Sequence, residues 1–238
     1  MTWLARLFSS EVPREVPLTA AQQQALVAWK HLPASDMSLS HQFSRYVVAD
    51  VESSGLNMQK DHLISIGAVA VVNGVIDFND AFEVVLRQDN VSTNSNILIH
   101  GIGGSAQRDG MDPAEALIAF LSYVGKSPLV AYHALFDQTM IANAMSEHLG
   151  LKFDQPWIDL AWVMPDIFRE TIAEQVDLDD WLGLFNIENI QRHNAVSDAY
   201  ATAQLLQVAI ARGVQRNALS PADFVQIEKS RRWMRSAG

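Results

Sequence analysis

Five side chains of this 238-residue chain have types and spacings that could do chemistry together: Asp50, Glu52, Asp137, His193 and Asp198. Asp50 and Glu52 stand two apart in Tyr46-Val47-Val48-Ala49-Asp50-Val51-Glu52, a β-branched run that predicts a strand, so both carboxylates point to one face. Paired carboxylates near the end of an apolar strand are costly to bury unless a cation or a proton goes with them; a solvated strand end is the ordinary alternative. Asp137 follows Val130-Ala131-Tyr132-His133-Ala134-Leu135-Phe136 and falls in the first turn of a predicted helix, where the helix dipole alone would favour an acid. In His193-Asn194-Ala195-Val196-Ser197-Asp198 an imidazole sits in a loop and a carboxylate enters a long helix. His193 by itself reads as a surface residue. Asp198 is harder to dismiss, because Ala195, Val196, Ala199, Ala201, Ala203, Leu205 and Leu206 make that helix face apolar enough to be buried.

Composition narrows what these groups could do. The chain has no Cys, which removes disulfides, thiolate zinc sites and cysteine nucleophiles, so any metal must sit on carboxylates or His. With 49% hydrophobic and 18% charged residues the chain can bury a sizeable core, and its length suits one large domain with extensions. The formal charge of −10 argues against a nucleic-acid partner at first sight. It is unevenly spread, however: Arg212, Arg216, Lys229, Arg231, Arg232 and Arg235 against Asp223 and Glu228 make the last stretch basic. Acidity that serves to collect dications would also mislead about the partner, since bound cations reverse the local charge. No apolar run reaches the 18 residues of a membrane span, and the patch of Trp3, Leu4, Leu7 and Phe8 is too short for a signal-peptide core, so a soluble, cytoplasmic protein without membrane contact is expected.

The elements that must position the acids follow from periodicity. Thr19 should cap a short helix over Ala20–Lys30. Strands are expected over Tyr46 to Glu52, Leu63 to Val72 and Val75 to Leu86, the last two joined by an Asn73-Gly74 hairpin. A polar loop from Asp89 to Asn96 leads to a helix begun by Asp112-Pro113. Then come a buried strand from Ser127 to Ala131, a helix over Leu135–Leu149 stopped by Gly150, and a short strand at Trp157-Ile158. Helices follow over Asp159 to Phe168, over Leu178 to Phe185 with Asp177 or Asp179 as cap, and over Val196 to Arg212, stopped by Gly213. Three antiparallel strands followed by alternating strands and helices predict an α/β fold. The expected division is an N-terminal helical extension (1–42), a central domain (43–213) and a basic C-terminal helical segment (214–238).

Taken together the segments spell Asp-x-Glu, then a buried strand leading to Phe-Asp, then His-x-Ala-x-x-Asp-Ala, in that order. From about Tyr46 to Val208 this resembles the DEDDh, or DnaQ-like, family of 3′-to-5′ exonucleases, which includes the proofreading epsilon subunit of bacterial DNA polymerase III and ribonuclease T. The resemblance implies a ribonuclease H-like mixed sheet of about five strands with helices packed against it, and two divalent cations, Mg²⁺ or Mn²⁺. Hard cations prefer oxygen ligands, and a pair of them suits phosphodiester hydrolysis. By the same resemblance Asp50 bridges both ions, Glu52 and Asp198 complete the water-activating site, Asp137 holds the second ion, and His193 is the general base.

Weaker signals surround these five. Ser53-Ser54-Gly55-Leu56 stands where the family usually has Thr-Thr-Gly-Leu; the turn of Ser53 and Ser54 could hold the 3′-terminal nucleotide and Leu56 could wedge against its base, or Leu56 could be core. His100-Gly101-Ile102 resembles the loop flanking that nucleotide. Tyr132-His133 replaces the family's usual His-Asn, so His133 could touch the nucleotide or pack under the helix.

The function implied is hydrolysis at single-stranded 3′ ends of nucleic acid, DNA favoured, releasing nucleoside 5′-monophosphates. A weakly catalytic or non-catalytic binding module of a polymerase or repair complex is the alternative. A phosphoesterase for small nucleotides lacks support, there being no phosphate-cradling Gly loop. The sequence leaves open whether the terminal segments bind a partner, extend the substrate track or support a homodimer.

Overall fold

The structure, a computed structural model, describes residues 16–237. The apolar patch of Trp3, Leu4, Leu7 and Phe8 lies outside the described residues. Five strands, β1 (Arg45–Ser53), β2 (Leu63–Val72), β3 (Val75–Val85), β4 (Leu129–Ala131) and β5 (Trp157–Asp159), form one sheet in the order β3-β2-β1-β4-β5. β1, β2 and β3 pair antiparallel, while β4 and β5 add parallel, the mixed α/β sheet expected. Asn73 and Gly74 at the tip of the β2–β3 hairpin both have positive φ, 55° and 74°, the backbone a two-residue primed turn requires.

Alternation along β1 divides its side chains between two layers. Val47, Ala49 and Val51 face a core built with α1 (Ala20–Lys30), α4 (Pro113–Val124) and α5 (Leu135–Leu149). Tyr46 and Val48 face a second core built with α6 (Leu160–Ile167), α7 (Leu178–Leu184), α8 (Ala195–Gln215) and α9 (Pro221–Ala237). Asp50 and Glu52 continue the parity of Tyr46 and Val48, so they emerge on the layer that holds α8.

α8 can approach the strands this closely because β2 has Gly67 in register with Asp50. A Cβ built at position 67 would lie 2.2 Å from the carbonyl carbon of Ala195 and from the nitrogen of Val196, backbone atoms of the first turn of α8. That glycine therefore sets the depth at which the helix start, and Asp198 with it, rests on the sheet.

Local caps agree with the sequence in several places. Thr19 and Gln22 form a capping box on α1, Asp112 caps α4 through Ala114 and Glu115, and Asp177 rather than Asp179 caps α7. Two expectations need correction. The loop expected over Asp89 to Asn96 gives way at Asn94 to a short helix, α2 (Asn94–His100), followed by α3 (Gly104–Arg108), two elements too short to show a period. Gly213 does not stop α8, which runs to Gln215; it lies within the helix, where a Cβ would come to 2.8 Å from the Phe224 ring, so the glycine serves packing against α9. The arginines of the basic tail find partners within the chain. Arg231 reaches the Ala173 carbonyl and Asp166, Arg232 reaches Asp159, and Arg235 reaches Gln175, so they fasten α9 to the body.

Replacing Gly67 by Ala should force α8 outward. The expected result is a loss of about 1–3 kcal/mol of unfolding free energy in urea titration, the usual penalty of overpacking. Asp50, Glu52 and Asp198 should at the same time lose their common cation affinity.

Candidate active site

Three of the predicted acids converge. Asp50, Glu52 and Asp198 each offer a carboxylate oxygen within 4.8 Å of the other two. Asp50 and Glu52 are brought by strand parity, and Asp198 by the first turn of α8. Asp137 is not one of these three and approaches from the opposite layer by a different device. β4 ends at Ala131, having paired with Val47 and Val48, and the Val51 N–H beyond that pairing is taken by Asp137 Oδ1 at 3.1 Å. Asp137 thus hydrogen-bonds to the residue that lies between Asp50 and Glu52.

Hydrogen-bond donors are unequally shared among the four. Asp198 is buried and well supplied: Oδ1 accepts from Asn189 Nδ2 and, at 3.0 Å, from Arg192 Nη1, while Oδ2 accepts the His193 N–H at 2.8 Å. Asp50 and Glu52 accept no side-chain hydrogen bond among the described residues. Burial and repulsion by Asp137, Asp198 and Glu52 hold the Asp50 carboxyl well above the usual carboxylate range. Burial, with Asp198 and Asp137 nearby, pushes Glu52 up to about 8, against the opposing influence of Arg192. Asp137 is likewise pushed up to about 8, chiefly by burial, against the hydrogen bond from Val51. Partly buried carboxylates that repel one another and lack donors are what an oxygen-ligated dication satisfies. The donor set therefore fits the divalent metal expected from the sequence.

His193 is exposed, its φ is +60°, and its ring makes no hydrogen bond among the described residues. Only its backbone is committed, to Asp198. The remaining sequence candidates divide. Ser53 Oγ donates to the Gly55 carbonyl at 2.7 Å and Ser54 Oγ to Asp61 at 3.0 Å, so these hydroxyls shape their own turn, which Asn96 of α2 braces through the Ser54 carbonyl. Leu56 is 87% exposed at the tip of that turn, which removes the alternative of Leu56 as core. His100 is buried, its Nδ1 accepting from Ile102 N–H at 3.0 Å and its Nε2 near Ser92 Oγ at 3.4 Å, so its ring is occupied within its own loop. His133 is exposed with φ +59°, and its N–H donates to Asp159 Oδ1 at 2.9 Å.

Comparison with known proteins decides the family. The exonuclease (RNase_T) family profile matches residues 47–206, two thirds of the chain and all five central residues. The chain belongs to this exonuclease family. DNA polymerase III PolC-type of Bacillus subtilis is 32% identical over 162 residues, 68% of this chain, and that of Caldanaerobacter subterraneus is 30% identical over 171 residues, 72% of this chain. The chain spans only 11% and 12% of the length of those two relatives. Among solved structures, Escherichia coli exonuclease I in complex with a dT13 oligonucleotide superposes with a TM-score of 0.62 at 18% identity, over 72% of this chain and 42% of that one. Its zinc-bound complex with single-stranded DNA gives 0.62 at 19% identity, over 72% and 41%. The ribonuclease H-like fold of this exonuclease domain is thereby shown.

Several residues that shape the site were not singled out as candidates. Gly67 stood in plain view, since a lone glycine inside an apolar strand marks a close approach. Asn189 and Arg192 sit in a polar loop with no spacing signal, and they act on Asp198 only because the loop folds back, Ser197 Oγ donating to Asn189 Oδ1 at 2.9 Å.

The raised carboxylates fix the sign of a pH dependence. Between their ordinary values and about 8, Glu52 and Asp137 keep protons in the folded chain that the unfolded chain has released. Without metal, their contribution is therefore full at acid pH, falls as pH rises through that window, and is spent above about 8. His41 and His100, depressed by burial, act in the opposite sense below their ordinary value of 6.5. Above pH 7 the carboxylates dominate. In chelator, thermal melts between pH 7 and 8 should show a loss of about 1.4 kcal/mol per pH unit for each proton so held. Glu52→Gln, which removes one of those protons, should flatten that slope and raise the Tm at pH 8, and dications should raise the wild-type Tm without raising that of the variant.

Proposed function

We propose that this exonuclease domain removes nucleotides one at a time from the 3′ end of single-stranded DNA, releasing nucleoside 5′-monophosphates with the help of two divalent cations, Mg²⁺ or Mn²⁺. The single observation that carries the reading is the convergence of Asp50, Glu52 and Asp198, with Asp137 hydrogen-bonded to the strand that bears the first two. Asp50 would be shared between the ions, Glu52 and Asp198 would complete one site, and Asp137 would serve the other. When bound, such ions supply Lewis-acid stabilisation of charge on the phosphoryl and leaving oxygens and ease deprotonation of the attacking water.

The chain's own residues supply the rest. His193 is the side chain available to take the water's proton: it is exposed, its ring is uncommitted, and an imidazole so placed can act as a general base. Its backbone bond to Asp198 keeps that base beside the acids. Leu56 offers an apolar surface for the terminal base, a mode of holding a strand that is indifferent to sequence. The Ser53-Ser54 turn presents backbone to the terminal sugar, and His133 stands exposed on the turn leading to Asp137. The preference for DNA is supported by the named activity of the PolC-type relatives and by the oligonucleotide bound to exonuclease I. The same relatives support work beside a DNA polymerase or repair complex, in the cytoplasm. No helix among the described residues is long and apolar enough to cross a membrane.

A 5′-labelled single strand should shorten stepwise with Mg²⁺ or Mn²⁺, stay intact in chelator, and stay intact with Asp50→Ala. Binding without shortening would instead favour the binding module. His193→Ala should lower the rate about 10²–10⁴-fold, the worth of a general base, with Mn²⁺ affinity nearly unchanged. Loss of metal in that variant would make His193 a ligand.

A further inference from the structure

The C-terminal helix α9 lies outside the residues that match the family, yet it reaches the support of the acid site. Arg232 Nη2 donates to Asp159 Oδ2 at 2.9 Å, and Arg232 Nε to Glu228 Oε1 at 2.8 Å. The other Glu228 oxygen, Oε2, accepts the Asp159 N–H at 2.9 Å, closing a ring of three residues. Arg232 also lies over the Trp162 ring, 4.8 Å from its centroid. Asp159 is 2% exposed, at the end of β5. Its second oxygen, Oδ1, accepts from His133 N–H at 2.9 Å and from Ala161 N–H at 3.1 Å.

His133 is where this arrangement bears on chemistry. Its φ of +59° is one a residue with a Cβ adopts rarely, and it persists where the surroundings enforce it. The turn it makes joins β4 to α5, and Asp137 is in the first turn of α5. A continuous path thus runs from Arg232 through Asp159 and the His133 turn to Asp137, and from Asp137 Oδ1 to Val51 N–H between Asp50 and Glu52.

We propose that Arg232 and Glu228 are positioning residues that act through Asp159 and the His133 turn to aim Asp137 at the acid cluster, making α9 part of the catalytic support. The assignment rests on the nuclease reading above. Asp159 is a buried acid with two backbone donors on one oxygen; the guanidinium on the other balances its charge and fixes its rotation. With that partner gone, Asp159 is free to turn, and the strained His133 backbone loses the acceptor that holds it.

The experiment uses the full chain and three variants: Arg232→Gln, Arg232→Lys, and Arg231→Gln as a control. Arg231 fastens the same helix through Ala173 and Asp166 but does not touch Asp159. Mn²⁺ binding is followed by electron paramagnetic resonance, kcat and KM are measured on a 5′-labelled single strand, and all assays run well below each variant's Tm. Arg232→Gln should weaken one of two Mn²⁺ sites about tenfold or more and lower kcat by a similar factor with KM little changed, the usual scale for residues that orient a metal ligand. Arg232→Lys should recover part of both, and Arg231→Gln should leave Mn²⁺ affinity within twofold of wild type.

Equal losses in Arg231→Gln and Arg232→Gln would show that helix docking alone matters and overturn the positioning role. So would an Arg232→Gln protein with wild-type Mn²⁺ affinity and kcat, or one that merely melts earlier. A wild-type protein that binds no Mn²⁺ and shortens no strand would overturn the nuclease reading, and this assignment with it.

Discussion

Like charges held close together are the constraint on which this structure turns. Asp50, Glu52 and Asp198 would separate if they were free to do so, and burial beside Asp137 intensifies their repulsion. The fold opposes that tendency with features that have little other purpose. Strand geometry commits Asp50 and Glu52 to one face, and Gly67 lets the first turn of α8 settle on that face. Hydrogen-bond donors then serve Asp198 and Asp137: three on Asp198, and the Val51 N–H on Asp137. The two inner acids receive none, and the residual negative potential is concentrated there. A site with this distribution of donors is built to be completed by cations.

The same logic explains why net charge was a poor guide to the partner. Much of the basic tail is spent inside the molecule. Arg212 and Arg216 both meet Glu170, Arg231 meets Asp166, and Arg232 meets Asp159. Arg231 and Arg232 thereby fasten α9 to the body, and Arg212 and Arg216 hold the end of α8 to Glu170. Within the acid site the one guanidinium among the described residues that lowers both Asp50 and Glu52 is Arg192, shared between Asp198 and Asp179.

Much of the fold was legible because it follows from local rules. Apolar, β-branched runs located β1 and β2, Asn73-Gly74 located the hairpin, and Thr19, Asp112 and Gly150 marked helix ends by their own hydrogen bonds or left-handed backbone. The central acids were legible because their order along the chain follows a family pattern. What escaped notice depends on distant packing. Gly213 has the look of a helix stop and is instead a contact with Phe224, eleven residues further on. α2 has no capping side chain and no apolar stripe to announce it. His100 resembled a loop residue facing a ligand, yet its ring turns inward because Ser92 and Ile102 supply its partners, a pairing that only the folded loop creates.

The loop from Asn189 to Asn194 shows how one small segment joins two duties. Gln191 N–H donates to Ser197 Oγ, Ser197 Oγ donates to Asn189 Oδ1, and Asn194 caps Ser197 N–H, so the loop is folded down onto the first turn of α8. Two of its other groups, Asn189 Nδ2 and Arg192 Nη1, reach Asp198. His193 is suspended in the middle of this arrangement, its backbone in the left-handed region and bonded to Asp198, its ring free in solvent. A left-handed residue turns its side chain away from the course of its neighbours, which is how the ring escapes the packing that fixes everything around it. The carboxylate and His193 are consequently coupled through one backbone N–H: whatever moves Asp198 moves the His193 backbone, whereas the ring can swing without disturbing the acid. That asymmetry suits the role proposed for His193, a side chain that takes a proton near the cluster and hands it on to solvent.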